Sequence, residues 1–149
     1  GNSLIELIKA GDDDLALDLV KQEGSNVDLD LTDPYGSTAL TLASRAGHLD
    51  LCRALLKQQP PPPYNAQNIF GSTALMCAAA SGHPEICTEL LQVPEVDVNI
   101  ITQYGSTALS KAAEAGHADI VEQLMTRGAN PSVSNRLGKT AAELAAVKG

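Results

Sequence analysis

The chain has 149 residues, four aromatic side chains and no tryptophan, and it carries a formal net charge of −8. Residues 1–35 hold nine acidic side chains against two lysines, so most of the negative charge lies in this segment. Such a surface repels nucleic-acid phosphates and anionic lipids, so we expect neither nucleic acid nor membrane as a partner. Four aromatic rings are also few for a single globular core.

The first predicted element is a pair of helices from Leu4 to Val20, with Ala10-Gly11 at the turn between them. Three consecutive acids, Asp12 to Asp14, precede the second helix, where negative charge suits the positive end of the helix dipole. The pair lacks the glycine turn that precedes every later helix pair. We therefore predict that residues 1–35 cap one end of a larger array.

The rest of the chain repeats one pattern at an almost constant period. The motif YGSTAL occurs at Tyr35–Leu40 and Tyr104–Leu109, and FGSTAL occurs at Phe70–Leu75. The glycines of these motifs lie 35 and 34 residues apart, Gly138 follows after 33 more, and a Gly-His pair comes 11 residues after each of the first three. Two markers in the same phase indicate a repeat array.

Each repeat is predicted to contain two helices. A threonine two residues after the motif glycine can cap the first helix with its hydroxyl, and the glycine of the Gly-His pair can end that helix in the left-handed conformation. The second helix is predicted to bury apolar residues at positions i, i+4 and i+5. The caps are Thr38, Thr73, Thr107 and Thr140, and the apolar sets are Leu51, Leu55 and Leu56, then Ile86, Leu90 and Leu91, then Ile120, Leu124 and Met125.

These units resemble the ankyrin repeat, a module of about 33 residues with a β-turn finger and two antiparallel helices. The T-P-L-H signature of that family is represented here by TALT, TALM, TALS and TAAE, so its proline and histidine are missing. Val98-Asn99 before a finger and Gly128-Ala129-Asn130 after a second helix match later family positions. The resemblance implies an all-α repeat solenoid, a stack of helix pairs with β-turn fingers.

The resemblance implies one ankyrin-repeat domain over residues 1–149. We predict a capping repeat at 1–35, repeats at 36–70, 71–104 and 105–137, and a partial repeat at 138–149. The partial repeat holds a first helix without a second one. This favours a piece cut from a longer protein.

A proline-rich insert, residues 58–64, separates one second helix from the next finger. Pro61 to Tyr64 match the P-P-x-Y pattern that WW domains bind as a polyproline II helix, so a WW-domain contact is one interpretation. The other is that the prolines end the helix and stiffen a long connection. Tyr64 aligns with Val98 and Pro131, at a position expected to pack against the helices and therefore to be unable to dock.

No pattern in the sequence predicts catalysis, a cofactor or a metal site. The histidines of the Gly-His pairs belong to successive repeats about 8 to 10 Å apart, whereas zinc holds each imidazole at about 2.0 to 2.1 Å. Each imidazole is expected to bond to the backbone at its turn. No serine, cysteine or carboxylate has an activating base in a recognisable motif, so we predict that the chain is not an enzyme. The histidines are His48, His83 and His117.

The cysteines and the hydropathy indicate an intracellular protein, cytoplasmic or nuclear. Cys52, Cys77 and Cys87 are an odd number without paired spacing, which is typical of a reducing compartment, and they are expected to be small core residues. No run approaches the roughly 20 apolar residues of a membrane span, and no secretory signal precedes Leu4.

The ankyrin resemblance implies a monomeric protein-interaction module that binds a partner protein or peptide along the fingers and the exposed side of the first helices. The alternative is a targeting or substrate-recognition domain of a larger enzyme or bacterial effector, with the catalytic part outside this chain. For the aromatic residue before each motif glycine, two roles stay open, partner binding and stacking between fingers. The candidate partner-binding residues are Tyr35, Arg45, Phe70, Tyr104, Glu114, Arg136 and Lys139.

Overall fold

The computed structural model of the chain describes residues 3–22 and 27–132. Within these ranges the chain forms eight α-helices in four consecutive pairs. The pairs are α1 (Ser3–Ala10) with α2 (Asp13–Lys21), α3 (Ala39–Ala46) with α4 (Leu49–Leu56), α5 (Ala74–Ser81) with α6 (Pro84–Leu91), and α7 (Ala108–Ala115) with α8 (Ala118–Thr126).

The helix pairs stack into a two-layered solenoid. Helices α1, α3, α5 and α7 contact one another in sequence and form what we term the first-helix row. Helices α2, α4, α6 and α8 do the same and form the second-helix row. Because each helix contacts its own partner and its neighbours in the row, the core is a continuous seam between the two rows, and the predicted all-α repeat solenoid is confirmed.

Threonine side chains begin the first helices of the repeats, as predicted. The hydroxyl oxygens of Thr38, Thr73 and Thr107 each accept a hydrogen bond from the backbone N–H three residues later, at 3.3, 3.2 and 3.1 Å. The Ser110 hydroxyl oxygen also accepts from the Thr107 N–H, which completes a capping box. The fourth predicted cap, Thr140, lies outside the described residues.

The first helices end at glycines, again as predicted. Gly47, Gly82 and Gly116 have φ angles of 84°, 79° and 82°, in the left-handed region that side chains other than glycine rarely adopt. The turn assignment made from the Gly-His pairs is therefore confirmed.

The apolar stripe of the second helices differs from the prediction in one position. Residues at i and i+4, such as Leu51 and Leu55, are fully buried, but Leu56 and Leu91 are only partly buried and Met125 is exposed. Since each residue turns the helix by about 100°, position i+5 lies about 140° away from i. Position i+1 is buried instead in α4 and α6, where it is a cysteine.

Two of the three cysteines are core residues, as expected. Cys52 and Cys87 are fully buried, and burial raises the pKa of their thiols to about 11 and about 12. Cys77 is only partly buried; burial raises its pKa, and the nearby cations Arg45 and Lys111 partly offset that rise. All three thiols are therefore protonated at neutral pH.

Two of the three histidines of the Gly-His pairs contact a polar atom of the preceding repeat. The imidazole Nε2 of His83 lies 3.2 Å from the backbone oxygen of Arg45, so the predicted bond to backbone is confirmed there, although it reaches the preceding repeat. For His48 the prediction was wrong. Its Nε2 lies 2.8 Å from Oδ1 of Asp13, which is within ion-pair distance. The geometry does not meet the criteria for a hydrogen bond, so Asp13 Oδ1 has no hydrogen-bond donor among the described residues.

The proline-rich insert lies against the solenoid. Pro62 is buried, and Tyr64 is partly buried against the hydrophobic core. Asn65 follows directly and bonds to the next connection through the backbone groups of Glu95 and Asp97, at 2.8 and 2.9 Å. These contacts favour the structural interpretation of the insert, because a WW domain would have to pull Tyr64 away from the core. The WW contact itself stays a prediction.

Candidate protein-binding surface

Each finger is folded by one side-chain oxygen. We define the fingers as residues 32–38, 67–73 and 101–107. In the first, Oδ1 of Asp33 accepts hydrogen bonds from the N–H groups of Tyr35 and Ser37, at 3.0 and 2.9 Å. Asn68 Oδ1 and Thr102 Oγ1 accept the equivalent pairs of bonds in the other two fingers, at 3.0 to 3.2 Å. We call these three residues the finger anchors; the sequence analysis did not identify them.

The anchors place an aromatic ring at the tip of every finger. Tyr35, Phe70 and Tyr104 are 53%, 49% and 51% exposed. The rings of Tyr35 and Phe70 stack with their centroids 6.1 Å apart and their planes at 25°. The ammonium group of Lys9 lies 5.9 Å from the centre of the Tyr35 ring. The first two rings therefore touch each other and still leave about half of their surface to solvent.

Hydrogen bonds join neighbouring fingers independently of the rings. The Ile69 N–H donates to the Tyr35 carbonyl at 2.9 Å, and the Gln103 side chain donates to the Ile69 carbonyl at 3.1 Å. The Gln67 side chain donates to the Ile101 carbonyl at 3.3 Å. The register of the fingers is therefore set by backbone groups and amide side chains.

Two further apolar residues widen the exposed surface of the fingers. Ile69 and Ile101 each have at least half of their surface exposed. The aromatic motifs of the sequence did not identify Ile101, because the aligned residues in the other fingers, Thr32 and Gln67, are polar. We define the finger surface as Tyr35, Ile69, Phe70, Ile101 and Tyr104.

The structure places the remaining candidates as follows. Arg45 and Glu114 are exposed at equivalent positions of α3 and α7. Arg45 shares a groove with Tyr35, but Glu114 does not line it. Arg136 and Lys139 lie outside the described residues. The groove has a volume of about 370 Å³ and is lined by Ile8, Lys9, Asp33, Tyr35, Leu42, Arg45 and Ala46.

The charge of the described helices is divided unevenly between the two rows. The first-helix row carries three cations and two acids, which gives a net charge of +1. The second-helix row carries eight acids and two cations, which gives −6. The helices of the first-helix row therefore lack the strong negative charge of the second-helix row, and Asp33 of the first finger offsets one of their cations.

The described residues meet neither the requirements of a metal site nor those of a membrane-spanning helix. No three His, Cys, Asp or Glu side chains come together there as a metal ion would require. None of the described helices has the length and apolar character that crossing a bilayer requires. The exposed feature of these residues is a row of apolar and aromatic side chains on hydrogen-bonded turns.

Fold and surface together define a helical-repeat protein with exposed fingers. A family model described as "Ankyrin repeats (3 copies)" matches residues 4–101, about two thirds of the chain, and one described as "Ankyrin repeats (many copies)" matches residues 95–145. The chain belongs to the ankyrin-repeat family, as the sequence motifs predicted. Members of this family are generally protein-interaction modules and generally non-catalytic. A comparison with curated proteins finds no significant match.

Proposed function

We propose that this protein binds a partner protein or peptide along the finger surface and the exposed side of the first helices. One observation supports this most strongly. Seven large hydrophobic side chains are exposed in the described part of the chain, and five of them belong to the finger surface. Contiguous exposed apolar groups on a soluble protein are typical of interaction sites, whereas scattered single ones need no explanation.

Stacking between fingers is the competing role for the rings. The stack between Tyr35 and Phe70 supports it in part. However, the bonds from Ile69 and Gln103 already hold neighbouring fingers together, and they do not involve a ring. Rings that served only as spacers would not need to keep half of their surface exposed. We therefore assign the rings to partner binding and the anchors to finger structure.

The energetics favour a partner that also makes polar contacts. Covering about 100 Å² on each of five side chains, at about 25 cal/mol per Å², gives about 12 kcal/mol of gross stabilisation. Association costs about 4 to 15 kcal/mol in lost freedom, so the finger surface alone would bind weakly. Charged residues of the first helices, such as Arg45 and Glu114, would supply the remaining affinity and the selectivity.

The proposal concerns a monomeric, intracellular module without enzymatic activity of its own. The generally non-catalytic character of the family supports the last point. The same surface would operate if the chain is the targeting or substrate-recognition domain of a larger enzyme or effector. In either setting the partner is recognised by the fingers.

The test compares two sets of exposed apolar residues. Partners are first identified by proximity labelling with the unaltered chain. The finger variant carries Tyr35→Ser, Phe70→Ser and Tyr104→Ser. The control variant carries Leu15→Ser and Met125→Ser, which alter residues of similar exposure, 57% and 44%, on the second-helix row.

We expect the finger variant to lose the identified partner and the control variant to keep it, with unchanged helical circular dichroism in both. Retention of the partner by the finger variant would contradict the proposal. A collapse of helicity in the finger variant would show that the rings hold the fingers together instead.

A further inference from the structure

The groove beside the first finger combines apolar and cationic groups. Ile8 is buried and Leu42 is partly buried, so together with the Tyr35 ring they give the groove an apolar lining. Lys9 and Arg45 line it as well, and both are exposed. The groove shares Tyr35 with the finger surface, so a segment bound along the fingers can continue into it.

The acidic residue of the groove, Asp33, already has a cationic partner. The Asp33 side chain is only 4% exposed, and Lys9, whose side chain is 42% exposed, lies 3.4 Å from its Oδ2. Burial raises the pKa of Asp33, but bonds from the N–H groups of Ser37 and Tyr35 and the charge of Lys9 outweigh this and hold it below its usual value. Asp33 is therefore ionised and paired, and it leaves the charge of Arg45 uncompensated.

Of the three described arginines, Arg45 is the one whose guanidinium does not join two repeats. Among the described residues, its guanidinium forms no ion pair or hydrogen bond. Its backbone oxygen, in contrast, lies 3.2 Å from the His83 imidazole. The main chain of Arg45 is therefore fixed, while its charged group faces solvent beside the groove.

The other two arginines of the described chain have structural partners. Arg53 Nε donates to Glu89 at 2.8 Å, between neighbouring second helices. Arg127 donates to the carbonyl groups of Leu91 and Val93 in the preceding repeat. Both side chains join neighbouring repeats. The guanidinium of Arg45 has no such partner and is therefore available to bind a ligand.

We propose that the groove takes a carboxylate side chain from an acidic segment of the partner that also carries apolar residues. This inference rests on the proposed function and adds the chemistry of the partner. A guanidinium can pair with a carboxylate through two parallel hydrogen bonds, and Leu42 and the Tyr35 ring can cover an adjacent apolar side chain. Because Lys9 is paired with Asp33, Arg45 supplies the positive charge that complements such a segment.

The negative charge of the whole chain opposes an acidic partner only at long range. At physiological ionic strength, exposed charges are screened beyond about 8 Å. The acids of the second-helix row belong to the other layer of the solenoid, and Lys9 is paired with Asp33, so the contact in the groove is governed by Arg45. A basic segment would instead meet this cation directly.

Three matched peptides test the proposal. They share the same apolar residues at alternate positions and carry glutamate, glutamine or lysine at the positions between. Dissociation constants are measured by fluorescence anisotropy with the intact chain, and amide chemical shifts locate the contact. We expect the glutamate peptide to bind about fivefold more tightly than the glutamine peptide, as for a partly exposed ion pair, and the lysine peptide to bind most weakly.

Substitutions assign the preference to the groove. Arg45→Gln should remove the preference for glutamate over glutamine, and Arg45→Lys should retain part of it. Arg53→Gln makes the same charge change on the second-helix row and should leave the preference intact.

Equal binding of the three peptides, a preference for lysine, or an equal effect of Arg53→Gln would each overturn the assignment. Failure of all three peptides to bind at millimolar concentration would overturn it too. If the three peptides bind equally and the finger variant binds none of them, the proposed function is supported and the preference for an acidic partner is refuted. The partner-capture experiment with the finger variant judges the proposed function separately.

Discussion

The inter-helix turns and the finger tips repeat with the same period but have different neighbours. At the turns, a side chain carbon added to Gly47 or Gly82 would lie 2.7 Å from the imidazole of the following repeat, His83 or His117. At the finger tips, the ring before each glycine keeps about half of its surface in solvent. A repeated residue is therefore part of the scaffold where the next repeat occupies the space around it, and is available for binding where solvent does.

The division runs through the finger motif itself. A carbon added to Gly71 would lie 2.5 Å from the Gln103 side chain, so this glycine is as enclosed as the turn glycines, whereas a carbon added to Gly36 would have no neighbour closer than 3.5 Å. The adjacent Phe70 is half exposed. Gly71 and Phe70 are adjacent in the same repeated motif, but the glycine packs against the next finger and the ring faces solvent.

The largest expected effect separates enclosed from open glycines. Gly82→Ala should lower the free energy of unfolding by about 3 kcal/mol, because the left-handed conformation is lost and the His117 ring must move. Gly11→Ala should cost only about 1 kcal/mol, because Gly11 has a similar φ of 82° but no atom within 4 Å of the added carbon. Urea unfolding measures both, and Gly128→Ala is a second open control.

Equal costs at Gly82 and Gly11 would show that the histidine contact contributes nothing. Because repeats are stabilised mainly by their neighbours, we also expect Gly82→Ala to loosen the repeats on both sides of it.

A smaller effect is expected at the finger anchors. Asn68→Ala removes the acceptor for the N–H groups of Phe70 and Ser72 and should cost about 1 to 2 kcal/mol. Asn68→Asp keeps the acceptor oxygen and serves as the matched control. Amide hydrogen exchange should accelerate at these two positions in the alanine variant only. Unchanged exchange would mean that the finger keeps its shape without its anchor.

The smallest effect is the pH dependence of the first finger. The pKa of Asp33 is held below its usual value in the folded chain, so the unfolded chain binds a proton more readily. Asp33 therefore stabilises the fold above the usual carboxyl pKa, and this stabilisation disappears as pH falls through the lower, folded-state pKa. In the Asp33→Asn variant, the free energy of unfolding should fall less steeply as pH is lowered. At neutral pH the variant should be less stable than the unaltered chain by about 1 kcal/mol or less.

Unfolding experiments at several pH values measure this difference. The natural Asn68 shows that an amide oxygen can serve as the anchor, so Asp33→Asn should keep the finger intact. An identical acid profile for the variant and the unaltered chain would contradict the assigned role of the Asp33 charge.

Local signals made most of the fold predictable from the sequence. The threonine caps and the turn glycines determine the backbone only within a few residues. The local sequence motif was therefore sufficient to predict where the first helices begin and end. The position of Met125 was predicted wrongly because three apolar residues at i, i+4 and i+5 were treated as one stripe. The pairing of His48 with Asp13 was missed because the partner belongs to the preceding repeat.

The candidate site was predictable only in part. The three rings recur in phase, and the structure places each at a finger tip. The anchors were missed because Asp33, Asn68 and Thr102 are different residue types, although all three offer a side-chain oxygen at the same position of the repeat. The groove was missed because it combines α1 and α3 with the first finger, which no single repeat contains.

One paired measurement tests most directly whether turns and fingers have separate roles. The finger variant and Gly82→Ala are compared for melting temperature and for affinity toward the captured partner, with affinity measured well below both melting temperatures. We predict that the finger variant loses affinity and keeps its melting temperature, whereas Gly82→Ala loses melting temperature and keeps its affinity. If both properties change together in both variants, the fingers and the turns form a single scaffold and the separation of roles is wrong.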